Sequence, residues 1–131
     1  MQLNPTIDIS SSKIWIHEGD IIWQDYKLAK SLSIEDAKEI SVAVNEIASF
    51  TPEGKKLLLS SMSGLLSMEQ EARDCLINYP TKYNWKIALV YNSSMAHMFT
   101  SLMLRLLTSR FESKSFNNIE KAVNWLKEDS K

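Results

Sequence analysis

The segment "KKLLLSSMSGLLSMEQEA", from Lys55 to Ala72, changes character three times. "KKLLLS" is a short run that is apolar on both faces. Such a strand fits the middle of a sheet covered by helices on both sides. "SSMSG" is a polar connection. Ser67-Met68-Glu69-Gln70 then has the spacing of a capping box, which predicts a helix whose first-turn amides Ser67 caps. A buried strand that passes through a polar loop into a helix is the building unit of an α/β fold.

The same unit recurs on both sides. Downstream, "WKIALVY" reads as a second buried strand, and Ser93 or Ser94 caps the helix after it. "SKSF" is a short last strand, and Asn117-Asn118 opens a helix with the stripe Ile119, Ala122, Val123 and Leu126. Upstream, Ser33 caps a helix with Asp36 in its first turn, where a carboxylate meets the positive end of the dipole. Ile34, Ala37, Ile40, Ala43, Val44, Ile47 and Ala48 fall on one face of that helix, which stops before Pro52 and Gly54. Before it, "KIWIH" and "DIIWQDYKL" flank Glu18-Gly19 and predict a β-hairpin with a tight turn. The order ββαβαβαβα calls for one α/β domain with a mixed, mostly parallel sheet of about five strands and about four helices. Residues 1–12 are expected to be a poorly ordered lead-in and 13–131 the domain.

A chain of 131 residues has the length of one domain and buries enough surface to need no staple. Its single cysteine, Cys75, cannot form an internal disulfide, which suits a reducing compartment and a cytoplasmic protein. The formal charge of −1, with acids and bases interspersed, gives nucleic-acid binding no electrostatic support. The most apolar stretch, Met95 to Leu107, is shorter than the ~20 residues of a membrane span and contains Arg105. The N-terminus has neither the basic start nor the apolar core of a signal peptide.

The hairpin "IWIHEGDIIW", the helix start "LSIEDAKEI", the step "YNSSMAHMF" and the ending "SFNNIEKAVNWLKE" occur in this order in small bacterial STAS-like proteins. The chain resembles that family, which is related to anti-sigma-factor antagonists and to the cytoplasmic domain of sulfate transporters. The similarity runs from about Ile14 to the end. It implies a mostly parallel sheet of about five strands with helices on both faces. In the antagonists a regulatory serine sits where a central strand hands over to a helix, and its phosphate abolishes binding to a kinase partner. Through "LLLSS" that position falls on Ser67. The family's neighbouring aspartate and glycine are replaced here by Leu66 and Met68-Glu69. The resemblance thus makes Ser67, with Ser63 beside it in the loop, a candidate for phosphorylation or partner contact. The residues alone make Ser67 an N-cap.

In an open α/β sheet, ligands sit outside the carboxyl ends of the strands. If the two buried strands are neighbours, Ser61, Asn92, Ser94 and His97 converge there as a candidate ligand loop. Nothing in the sequence assembles a catalytic site. His17, His97 and Cys75 lack metal-ligand spacing, and Gly19, Gly54 and Gly64 form no phosphate-binding or dinucleotide fingerprint, so neither metal nor cofactor is expected. Met95, Met98, Phe99, Leu102, Met103 and Leu106 form an apolar helix face expected to be core, with Leu104 left on the polar side. Trp23 on the hairpin and Leu104 are the candidate self-association residues, and the sequence favours a homodimer. The expected function is a non-enzymatic, cytoplasmic regulatory or protein-interaction module. The alternative is a carrier or sensor of a small apolar or lipid-like ligand, since STAS-like folds resemble the lipid-binding CRAL-TRIO fold.

Overall fold

A computed structural model of the chain describes residues 5–17, 20–27 and 30–128. The strands are β1 (Thr6–Asp8), β2 (Ser12–His17), β3 (Ile21–Tyr26), β4 (Lys30–Leu32), β5 (Lys56–Ser61), β6 (Leu65–Met68), β7 (Trp85–Val90) and β8 (Glu112–Phe116). The helices are α1 (Ile34–Ala48), α2 (Gln70–Asn78), α3 (Ser94–Leu107) and α4 (Ile119–Lys127). Six strands form one sheet in the order β1-β2-β3-β5-β7-β8, and β4 pairs with β6 in a separate two-stranded sheet. The pairs β1/β2 and β2/β3 are antiparallel, while β3, β5, β7 and β8 run parallel. The expected α/β order holds, with β1, β4 and β6 added to it.

The parallel half grows across the sheet in one direction. Connections of one favoured hand then set their helices on one face. Accordingly Ile22, Trp85, Ile87 and Leu89 share a core cluster with α1, α2 and α3. α4 follows the edge strand and folds onto the opposite face, where Ala122 and Leu126 pack with Ile21, Leu59, Ala88 and Val90. Helices on both faces leave all six residues of β7 buried, Lys86 included, as expected of a central strand.

Local chemistry sets the helix starts. Ser33 and Asp36 form a reciprocal capping box: the Asp36 amide donates to Ser33 Oγ and the Ser33 amide to Asp36 Oδ2, each at 3.2 Å. Ser93 caps α3 by accepting from the Ala96 amide at 3.1 Å. Asn118 caps α4 by accepting from the Lys121 amide at 2.9 Å. The C-terminal end of α4 is held from below. Lys86 is 2% exposed on the central strand β7. Its ammonium donates to the carbonyls of Trp125 at 2.7 Å and Glu128 at 3.0 Å. A cation thus meets the negative end of the helix dipole and the orphan carbonyls together.

Four expectations need correction. Residues 1–12 are not simply a lead-in, because Thr6–Asp8 adds an edge strand to β2. Ile7 packs on the core cluster, and Asp8 pairs with Lys27 at 2.7 Å. A three-residue strand is too short to show periodicity in the sequence. The second correction concerns Ser67. It lies in β6, not at a helix start, and α2 begins after Glu69, whose side chain makes no cap. The stretch Leu65–Met68 is drawn out as a strand because it finds a partner in β4. Third, Leu104 is half-buried and packs on the core cluster. Fourth, a hairpin strand is expected at the sheet edge, but β1 continues the sheet beyond β2, and Trp23 stands on the internal strand β3. The Glu18-Gly19 turn lies outside the described residues.

Gly64 explains how the serine loop can cross the sheet's end. A Cβ there would stand 2.3 Å from the Tyr26 carbonyl oxygen and 2.9 Å from that of Lys27. Only glycine lets the β5–β6 connection lie against the end of β3.

Candidate functional site

The carboxyl ends of β5 and β7 are adjacent, with Ser61 paired in register to Val90. The sequence condition for a ligand loop is therefore met, and its residues divide into two groups. Asn92, Ser94 and His97 come together with Tyr91, Ser93 and Asn117 around one open hollow. There the His97 ring lies against Tyr91, with centroids 4.5 Å apart. Ser61 is not part of that hollow. Its hydroxyl faces Ser63 Oγ at 3.4 Å and Asp25, its cross-strand neighbour on β3. Burial raises the Asp25 carboxyl above its ordinary value, and the Ser61 hydrogen bond offsets part of that rise.

Ser63 and Ser67 are both exposed. Ser67 Oγ donates to Ser31 Oγ at 2.8 Å across the β4/β6 pair. That sheet and α3 are in contact through β6. Trp23 is half-buried on the sheet face that bears α4. It lies between Trp15, at 5.6 Å, and His17, at 4.9 Å, and its buried indole N–H has no hydrogen-bond partner among the described residues.

α3 is turned from the expected orientation. It buries Ala96, Thr100, Met103 and Leu107, a 4-3-4 spacing that forms one stripe. Met95, Met98 and Leu102 point outward instead. Thr100 can take an inward place because its hydroxyl donates to the Ala96 carbonyl at 2.7 Å. With Ala96 and Thr100 against the sheet, the helix presents two small side chains where the larger ones would hold it off.

Between the sheet and α1, α2 and α3 lies a cavity of about 100 Å³ that sequence reasoning missed. Its walls are mainly apolar, with Ile40, Val44, Leu58, Ile87, Leu89 and Met103 prominent. Two polar clusters also border it. In one, Gln24 Nε2 donates to Ser12 Oγ at 2.9 Å, and Ser60 Oγ donates to Gln24 Oε1. Tyr26 adjoins this cluster. Burial pushes its hydroxyl well above the ordinary tyrosine range, and a hydrogen bond with Gln24 acts the other way. In the other, Thr81 Oγ1 donates to Asn45 Oδ1 at 2.6 Å and accepts from Trp85 Nε1 at 3.0 Å. The signal was Gln24 within "IIWQDY": a polar residue at a core-facing position, which requires buried partners.

A family model described as a domain of unknown function, DUF7793, matches residues 14–130. The chain belongs to that family. No curated protein matches it in sequence. Among solved structures, it is similar to an uncharacterised DUF3478-family protein with a SpoIIAA-like fold from Shewanella loihica. The TM-score is 0.60 at 13% identity, over 96% of this chain and 97% of that one. At that identity the likeness is one of fold: this DUF7793 domain has the SpoIIAA-like fold that its STAS-like sequence resemblance implied. Among the described residues, no helix is long and apolar enough to cross a membrane.

Proposed function

We propose that the domain is a non-enzymatic, cytoplasmic regulatory or protein-interaction module whose protein partner docks at the carboxyl end of the sheet, on β6 and α3. One observation carries this reading. Leu66 is 49% exposed, Met95 48%, Met98 63% and Leu102 37%, and they stand on two elements in contact. Single exposed apolar side chains are ordinary, whereas a group of them marks an interaction site. Methionine suits such a surface because its unbranched thioether repacks against different partners.

The surroundings define the partner's chemistry. α3 carries Arg105 and no carboxylate. A fitting partner presents an apolar face with a carboxylate on the Arg105 side. Ser67 is the neighbour of Leu66 on β6 and Ser63 stands in the loop before it, so phosphate on either would set charge near Leu66. The polar groups nearby are engaged with one another: Ser61 with Ser63 and Asp25, Ser67 with Ser31, and His97 with the Tyr91 ring. That arrangement supports binding over catalysis.

A photo-crosslinking residue at position 98, with one at position 114 on the edge strand β8 as control, tests the reading in the native host. The expected result is one protein adduct from position 98 and not from 114. The purified partner should then lose at least tenfold affinity for Met98→Glu and none for Lys114→Glu. Identical adducts from both positions, or unchanged affinity in Met98→Glu, would overturn the proposal. Sedimentation equilibrium gives the remaining outcome. A species of twice the 15.0 kDa chain mass that Met98→Glu returns to monomer would make the occupant a second copy.

A further inference from the structure

We infer that the cavity between the sheet and α1, α2 and α3 binds a small, neutral, ring-bearing molecule with one hydrogen-bonding group, of the size of a phenol. The site is separate from the β6 and α3 surface and stands on different observations.

The first is size. The cavity holds about 100 Å³, room for roughly three waters or one six-membered ring. Pockets for drug-sized ligands run from about 300 Å³ upward. A full acyl chain does not fit, which narrows the apolar or lipid-like ligand of the sequence reading to a compact one.

Charge is the second. Among the described residues, no carboxylate, lysine, arginine or histidine lines the cavity. Carrying an ion into such a site forfeits its hydration with no counter-charge in return. The ligand is therefore neutral. Tyr26, Tyr79, Trp85 and Phe111 contribute rings to the lining, and offset or edge contacts with a ligand ring favour an aromatic occupant.

The third is a hydroxyl without a partner. Ser41 lines the cavity from α1 and is 6% exposed. Gln24 and Ser60 bond each other, as do Asn45 and Thr81, whereas Ser41 Oγ makes no hydrogen bond among the described residues. A hydroxyl in the lining that no protein group engages can bond a polar occupant, which a void lined by apolar groups alone could not do. The Ser41 hydroxyl marks where the ligand's polar group sits.

Access is available from one side. Asn45, Leu76, Tyr79, Thr81 and Phe111 are lining residues that are only half-buried. They belong to α1, to the end of α2 and the segment after it, and to the segment before β8. Leu58 is also only half-buried, although it stands on the central strand β5 beneath the helices. Solvent thus reaches the cavity past these residues.

The test titrates the full chain with phenol and with benzene, following methyl resonances by ¹H–¹³C NMR. Saturable shifts should centre on Ile40, Val44, Leu58, Ile87, Leu89 and Met103. Ser41→Ala should weaken phenol at least fivefold and leave benzene within twofold. Val44→Phe, which fills the space, should abolish both. If that variant does not fold, the Ser41→Ala comparison decides alone. Absence of saturable shifts at these methyls, or equal phenol affinity in Ser41→Ala, would overturn the inference. So would ordered waters on Ser41 that saturating phenol fails to displace, since they would make the cavity a hydration site.

Discussion

Lys86→Met removes the buried ammonium while keeping most of the stem. In the native protein Lys86 Nζ makes two charge-assisted hydrogen bonds, to Trp125 O and Glu128 O, and lies 4.6 Å from the centroid of the Trp125 ring. Hydrogen bonds to charged groups contribute about 1.5–3 kcal/mol each. Two of them set an upper bound of about 6 kcal/mol. The desolvation of the ammonium, which the variant avoids, lowers the net figure. Rehydration lowers it further, because Glu128 is exposed and its carbonyl can turn to water. The expected loss is about 2 kcal/mol, or about 6–10 °C in Tm for a domain of this size. Lys86→Ala should lose about 2 kcal/mol more, from the space left by a buried stem. α4 packs on β5, β7 and β8 and on no other helix by comparable contact. Its amides should therefore show the largest rise in hydrogen exchange. Urea melts of the two variants check the magnitudes. A Lys86→Met protein within 1 °C of the wild type, a shift worth only about 0.3 kcal/mol, would refute the assignment of Lys86 as the fastener of α4.

Gly64→Ala should destabilise the domain by about 3 kcal/mol or more, because the new Cβ meets backbone that must move; a thermal melt unchanged within error would show that the β5–β6 loop lies elsewhere. Ser33→Ala should cost about 1 kcal/mol as a lost cap. Ser67→Ala should cost less than about 0.5 kcal/mol, as an exposed strand position, and denaturant melts separate the two. The raised Asp25 carboxyl gives a signed pH dependence. A folded-state value above the unfolded one means that the native state holds the proton more tightly. Its stabilising contribution is present below the unfolded value and is lost as pH rises through the folded one. Asp25→Asn should therefore gain stability relative to wild type as pH increases above the ordinary aspartate range, and an unchanged difference between pH 3 and pH 7 would count against the burial of that carboxyl.

Residues within a few positions of one another settled most of the elements. The periodicity of Ile34 to Ala48 gives α1, and the apolar stretches Leu57–Leu59 of β5 and Ile87–Val90 of β7 place those strands in the centre of a parallel sheet. The side chains of Ser33, Ser93 and Asn118 bond amides three positions away, so these helix starts were legible without any partner. Ser67-Met68-Glu69-Gln70 has an equally good capping pattern, yet pairing with β4 draws it out as strand. That contact joins residues 36 positions apart, and local spacing carries no trace of it. The same holds for β1, too short to form a pattern until β2 supplies its partner.

The candidate surfaces divide in the same way. In the sequence, Met95, Met98 and Leu102 read as the core face of α3, because residue type alone does not say which of its sides meets the sheet. Tertiary packing turned Ala96 and Thr100 inward and left Met95, Met98 and Leu102 in solvent. The convergence of Asn92, Ser94 and His97 followed from the strand-to-helix step, because these residues span only the end of the connection and the first turn of α3. The cavity did not, since Gln24, Ser41, Leu58, Ile87 and Met103 come from five different elements. Amphipathic period and capping chemistry are properties of one segment and can be read along the chain. A void, a helix rotation and a three-residue strand exist only through the segments around them, and the fold alone decides those.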